Sequence, residues 1–282
     1  MNDFAARSYL FVPSSNETML LAADSRGADV LILDLEDSVG RSSKEQARLN
    51  LKAYLDGYQG IAQLWVRINS DPEESYQDLA IAVHPRVSGI VPSKVESSNH
   101  VNQVAEVISD FEKISNIEGL KLMPLIESAA GVLKAPEIAK SQRVLRLAIG
   151  EEDLAADLLL SSDYDESVMT FARNSLLYAS RAAHIGRPVG PVALDFQDLL
   201  GLQDSTEALR RSGFFGRLCI HPAQIPIINE VFMASESDKA RAKRILELLE
   251  ISHGAATTDD SGSMIDQAHA KWANAIMENQ GR

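Results

Sequence analysis

The sequence predicts an α/β protein built as a (β/α)8, or TIM, barrel with a C-terminal helical extension, and three observations carry that expectation. Short apolar runs rich in β-branched residues alternate with amphipathic segments from residue 9 to residue 233. The runs number eight, which is what closes a barrel. Nearly every run stops in a charged or hydrogen-bonding side chain, at the strand end where barrels carry their chemistry.

In chain order, the strand candidates are residues 9–12, 30–33, 64–68, 89–91, 120–125, 144–149, 191–194 and 217–220. The second sets the pattern. Val30 to Leu33 form the nearly continuous apolar run of a parallel strand covered on both faces, and the run ends in Asp34, Glu36 and Asp37. The helical segments are 17–25, 43–55, 75–83, 99–114, 129–139, 165–185, 206–212 and 225–233. Ser14 and Asn16, Ser42, and Ser97 and Asn99 signal helix starts, whereas Gly27, Gly57, Gly186 and Gly213 signal stops. An open, doubly wound sheet is the alternative arrangement of the same elements. After Met233 the pattern changes to a charged helix at 235–251, a linker of small residues at 253–266 and a short helix at 267–277. The expected domains are therefore a barrel over residues 1–234 and an extension over 235–282 that crosses the barrel end or packs on a neighbouring subunit.

Composition narrows the function classes. With 27 Lys and Arg against 40 Asp and Glu, the formal charge of -13 argues against a nucleic-acid partner, because nonspecific phosphate binding needs a positive surface. The single cysteine, Cys219, cannot form an internal disulfide and fits a reducing compartment. No run approaches the length of a membrane span, and the first residues lack the basic start and apolar stretch of a secretion signal, so a cytoplasmic location is expected.

The strand ends supply the candidate site. Asp34, Glu36 and Asp37 follow the second strand, Arg67 and Asn69 the third, Lys94 the fourth, Glu127 the fifth and Asp153 the sixth. Three carboxylates in one turn repel one another unless a cation, an arginine or solvent offsets them. Arg67 is placed either to grip a substrate carboxylate with both arms of its guanidinium or to pair with that acidic cluster, and the two roles are compatible. Glu127 and Asp153 either cap the helices that follow or present two hard oxygen ligands, a set suited to Mg2+ rather than Zn2+. His221 is a core histidine or an acid/base. The small polar turn after the first strand offers backbone N–H groups to an anion.

Several stretches together resemble a known family. They are RSYLFVP at 7–13, GADVLILDLEDSV at 27–39, VRIN at 66–69, PLIESAAG at 124–131, IGEEDLAAD at 149–157, GFFGRLCIHPAQI at 213–225 and GSMID at 262–266. In this order they resemble the citrate lyase beta subunit and the malyl-CoA and citramalyl-CoA lyases of the HpcH/HpaI aldolase group. The resemblance implies a barrel in homotrimers that cleaves or forms a 3-hydroxydicarboxyl-CoA thioester. It implies Mg2+ on Glu127 and Asp153, with Arg67 and Glu127 facing the keto-acid end of the substrate. Glu36 and Asp37 would order metal-bound water and Arg67, and Arg7, Phe11, Pro13 and Lys94 would lie near coenzyme A. Asp266 matches a C-terminal aspartate that many relatives supply to a neighbouring subunit, and is the expected base for enolisation. Alternatives within the resemblance are an aldolase or malyl thioesterase, a citrate lyase subunit with alpha and gamma partners, and a barrel retained as a scaffold. The chain departs from the family pattern at Pro13-Ser14-Ser15-Asn16, where a glycine is common, and at Val91-Pro92-Ser93-Lys94, where one residue separates proline from lysine.

Overall fold

Apolar runs with a period of two become parallel strands, and their register decides which side chains meet. In the computed structural model, which describes residues 5–259 and 261–278, these strands are β1 (Ser8–Pro13), β2 (Val30–Asp34), β3 (Gln63–Ile68), β4 (Val87–Pro92), β5 (Lys121–Leu122), β6 (Leu125–Ile126), β7 (Ala148–Ile149) and β8 (Arg217–Cys219). Six of them form one parallel sheet in the order β5-β4-β3-β2-β1-β8, and β6 pairs with β7 in parallel. Single parallel bridges join Leu122 to Val144, Ala148 to Val189 and Gly190 to Arg217. The fold is thus α/β, a parallel six-stranded core sheet with helices between the strands and a helical extension beyond it.

Side-chain alternation along the strands builds one continuous apolar face. Tyr9, Val30, Ile32, Trp65, Val91, Met123, Leu125, Ala148 and Leu218 pack together on it. Across this face the Trp65 ring occupies the space a side chain on Gly89 would need, which is why a glycine stands there. Leu31 and Leu33, pointing the other way, are fully buried as well. The second strand is therefore covered on both sides, as its unbroken hydrophobicity predicts.

Several expectations need correction. The fifth strand is split into β5 and β6 around Met123 and Pro124, since a proline has no N–H to give the ladder. The seventh contacts its neighbours at Val189 and Gly190 rather than over 191–194, again just before a proline, Pro191. The helix expected over 129–139 breaks into Ala129–Leu133 and Ala135–Ile138, and a further helix, Glu151–Asp157, opens on three acidic residues that complement its N-terminal dipole. The linker at 253–266 contains an antiparallel hairpin, β9 (Thr257–Thr258) with β10 (Met264–Ile265).

By their internal contacts the residues divide into two compact units, one of Ala6–Glu230 and one that takes in the chain from Val231. In the second unit the helices Glu236–Ile251 and Gln267–Glu278 bury Ala242, Ile245, Leu249, Ile265 and Ala273 between them, and Arg241 lies over the Trp272 ring. Among the described residues no helix is long and apolar enough to cross a membrane.

Arg7 is not where the resemblance puts it. It precedes β1, and its guanidinium donates to both oxygens of Asp29, which precedes β2, at 2.8 and 3.0 Å. Both residues therefore sit at the N-terminal ends of parallel strands, a full strand length from Pro13 and Asp34. Asp29 is 2% exposed, so the pair ties the starts of β1 and β2 together away from water. Replacing Arg7 by Met removes both guanidinium bonds from that carboxylate and leaves it the backbone N–H of residue 7, and should lower stability by about 2 kcal/mol in denaturant unfolding. Ligand binding at the opposite strand ends should be unchanged in the same variant.

Candidate active site

Parallel register places Pro13 beside Asp34 and Asp34 beside Arg67. Asp34 and Arg67 each lie two residues beyond an inner-face residue, Ile32 and Trp65, so both side chains project from the same face. The guanidinium meets Asp34 as a two-armed fork, Nε to Oδ1 at 2.7 Å and Nη2 to Oδ2 at 2.6 Å. Asp34 also accepts from Glu36 N at 2.9 Å and Ser38 N at 3.2 Å, and from the Ser38 hydroxyl. Burial pushes its carboxyl up, yet these bonds, Arg67 foremost, hold it below the ordinary carboxylate value. Arg67 Nη1 lies 3.2 Å from Glu36 and 3.7 Å from Asp37, and the Phe11 ring lies under the guanidinium at 4.7 Å. Phe11, expected near coenzyme A, thus packs against the arginine.

The acidic turn is neutralised from within the chain. Lys94 Nζ donates to Glu36 at 2.6 Å and to Asp37 at 3.0 Å, while its backbone N–H donates to Glu127 at 2.7 Å. This lysine has a left-handed backbone, φ 51°, a conformation rare outside glycine and asparagine. Behind the turn, Lys44 Nζ donates to the Leu35 and Glu36 carbonyls and to Asn69 Oδ1, each at 2.7 Å. Asn69 in turn donates to Asp78, which is fully buried and paired with Arg48. A cavity of about 680 Å³ opens between these groups, lined by Glu36, Asp37, Lys44, Asn69 and Lys94 among others.

Glu127 follows β6 and Gly150 follows β7, held level by a bond from Gly150 N to Ile126 O of 3.0 Å. A side chain at Gly150 would stand 2.8 Å from Glu127 Oε1, so glycine here is what lets the carboxylate swing over the strand end. Glu127 is 4% exposed. Burial raises its pKa to about 8, and the nearby charges of Asp153 and Glu36 push the same way against the Lys94 N–H and Arg67. Asp153 lies in the first turn of the next helix, whose Glu151 is gripped by Arg173 through two bonds of 2.6 Å. Asp34, Arg67, Glu127, Asp153 and Asp37 share one cavity of about 400 Å³, with Phe11 and Pro13 in its wall. The rest of that wall is mainly apolar and includes Leu125, Ile149, Val192, Leu194 and Leu218. No group of three His, Cys, Asp or Glu side chains able to share an ion occurs among the described residues. Two adjacent carboxylates, one of them buried and reluctant to ionise, fit a hard divalent cation that takes its remaining oxygens from water or ligand.

Two other candidates are not among the residues that line this cavity. His221 is neither a core residue nor part of this cavity. Its Nδ1 accepts from Ala223 N at 3.2 Å, capping the short turn that follows, and its ring stacks on Phe196 at 4.5 Å. Asp266 belongs to the second unit, where it precedes the helix Gln267–Glu278 and its Oδ1 meets Ala268 N and His269 Nδ1, each at 2.9 Å. The side chain is 40% exposed, and the His269 contact leads the influences that lower its pKa. The expectation of a base whose pKa is raised by burial is not met within this chain. Sequence reasoning allowed Arg67 to pair with the cluster of Asp34, Glu36 and Asp37 without choosing among the three, and overlooked Lys44. The available signal was register: Asp34 and Arg67 close adjacent strands on the same parity.

Residues 7–222 match the family described as HpcH/HpaI aldolase/citrate lyase. The chain belongs to that family. Among its members, citrate lyase subunit beta of Leuconostoc mesenteroides subsp. cremoris is 31% identical, with 98% of this chain and 94% of that protein aligned. A (3S)-malyl-CoA thioesterase of Cereibacter sphaeroides is 33% identical, with 93% and 90% aligned. The crystal structure of CitE from Mycobacterium tuberculosis in complex with magnesium, acetoacetate and coenzyme A superposes with a TM-score of 0.80 at 28% identity, covering 99% of both chains. The HpcH/HpaI family is one of enzymes, and this member keeps charged and hydrogen-bonding groups at the C-terminal strand ends.

The Glu127 carboxyl makes a measurable prediction. The unfolded chain releases this proton near the ordinary value of 4.5, whereas the folded protein keeps it until about pH 8. The folded state then binds more protons across that window, so stability falls as pH rises through it. In a chelating buffer, Glu127→Gln should remove this fall. Its melting temperature should gain several degrees on the parent between pH 4.5 and 8, read by thermal unfolding at a series of pH values.

Proposed function

We propose that this chain is a Mg2+-dependent carbon–carbon lyase that cleaves or forms a 3-hydroxydicarboxyl-CoA thioester of the malyl, citramalyl or citryl type. One observation carries the reading: an arginine fixed in a carboxylate fork opens on the same cavity as Glu127 and Asp153. The magnesium and coenzyme A in the M. tuberculosis structure support it.

Glu127 and Asp153 are the metal-holding residues in this proposal, and the ion supplies Lewis-acid polarisation of the keto-acid oxygens. Arg67 has five N–H donors. Asp34 engages two and Glu36 draws a third, which leaves an N–H on each Nη for a substrate carboxylate. The fork with Asp34 removes most of the guanidinium's freedom before substrate arrives, so little ordering entropy remains to be lost on binding. Glu36 and Asp37, balanced by Lys94, steady the third arm of Arg67 and any water that bridges to it. Lys94 fixes Glu127 through its backbone, so its earlier association with coenzyme A becomes secondary to holding the site.

In the cleavage direction the β-hydroxyl gives its proton to water and its oxygen becomes the carbonyl of a 2-keto acid. The adjacent carbon–carbon bond breaks, and its electron pair passes to the thioester as an enolate, which takes up a proton to give the acetyl thioester. Asp266 is the proposed carrier of that last proton, and in synthesis the base that removes it. We further propose that the sheet closes as an eight-stranded barrel, as the bridges at Val144, Val189 and Gly190 suggest, and that the protein works in the cytoplasm as a homotrimer.

The thioesterase relative favours a second reading, hydrolysis of a malyl thioester. Product analysis separates the two: a lyase yields a 2-keto acid and an acetyl thioester, a thioesterase a hydroxy acid and free thiol. Cleavage of free malyl-, citramalyl- or citryl-CoA by the purified chain would also exclude a need for citrate lyase alpha and gamma partners. Asp266→Asn should reduce turnover by at least about 100-fold with Mg2+ and keto-acid affinities preserved. Full activity in that variant would remove Asp266 as the proton carrier.

A further inference from the structure

We infer that the keto-acid half of the substrate carries one carboxylate and an uncharged substituent, the glyoxylate or pyruvate class rather than the oxaloacetate class. This deepens the proposed function and rests on it. The argument is a charge inventory of the cavity. Among the described residues lining it, Arg67 is the only cation, against the carboxylates of Asp34, Asp37, Glu127, Glu151, Glu152 and Asp153. Three of these are neutralised by fixed partners, Asp34 by Arg67, Asp37 by Lys94 and Glu151 by Arg173. A divalent ion on Glu127 and Asp153 would balance two more.

What remains on Arg67 serves one carboxylate. Among the described residues, two lysines near these strand ends are already engaged, and Arg41 lines the neighbouring cavity rather than this one. Lys94 is held by Glu36 and Asp37, and Lys44 by two carbonyls and Asn69. Arg217, buried at the start of β8, donates to the Pro191 carbonyl, Ser205 and Thr206. A second substrate carboxylate would therefore lie either among like charges or against Leu125, Ile149, Val192 and Leu218, where it loses water and meets no second cationic side chain of the described lining. A hydrogen atom or methyl group in that place meets an apolar wall and is favoured by burial.

Isothermal titration of the full chain at fixed free Mg2+ with glyoxylate, pyruvate, 2-oxobutyrate and oxaloacetate tests this. The 2-oxobutyrate arm controls for size, since it extends the chain without adding charge. The expected result is Mg2+-dependent binding of the monocarboxylates, with oxaloacetate weaker than 2-oxobutyrate by at least about tenfold. Oxaloacetate binding as tightly as 2-oxobutyrate would overturn the inference while leaving the proposed lyase intact. Failure of all four to bind with Mg2+ would remove the proposed function and the inference with it.

Discussion

The site depends on the fork between Arg67 and Asp34 across the ends of β2 and β3. Both charges are largely withdrawn from water, so each needs the other, and the pairing is geometrically narrow because two parallel N–H donors must meet two oxygens. Strand register alone brings them opposite one another. Once the fork is made, the Asp34 oxygens organise the turn that follows through Glu36 N, Ser38 N and the Ser38 hydroxyl. The turn then aims Glu36 back at the same arginine. A single buried ion pair thus sets the orientation of the guanidinium, the course of the turn and the position of the next carboxylate.

Around that pair, the chain distributes charge so that few groups stand alone. Lys94 meets Glu36 and Asp37 with its ammonium and Glu127 with its backbone, tying the acidic turn after β2 to the carboxylate after β6. Lys44 holds the outer side of the turn, and Asn69 passes the connection on to Asp78 and Arg48. Glu127 is the exception. It is buried beside Asp153 with one backbone donor, and its raised pKa records an electrostatic demand left unmet by the protein's own groups. A strongly acidic chain can hold an anionic substrate because its arginine is aimed and partnered in advance, while net charge governs only the long-range field.

Much of this was legible in the residues. The run Val30 to Leu33, the stop at Asp34, and the arginine at the end of the next strand were visible as pattern, and the motifs from residue 7 to residue 266 pointed to the HpcH/HpaI family. Arg7 was misplaced because a motif records which residues occur together but not which end of a strand they occupy. Phe11 and Lys94 belong to the mouth of the sheet, yet pack on Arg67 and the acidic turn, a choice made by distances of a few ångströms. The helix at Glu151–Asp157 was missed because it is short and follows directly on a strand, although its three leading acids were a helix-start signal.

The sequence by itself determined the alternation of strands and helices, the family, and the set of chemistry-bearing residues at the strand ends. These follow from periodicity and residue type, which are local properties of a chain. Only the tertiary structure decided that Asp34 rather than Glu36 is the principal partner of Arg67, that Lys94 bridges two strand ends, and that one cation faces many carboxylates in the cavity. Those outcomes rest on register, burial and charge balance, which arise between segments far apart in sequence and have no value until the segments are packed.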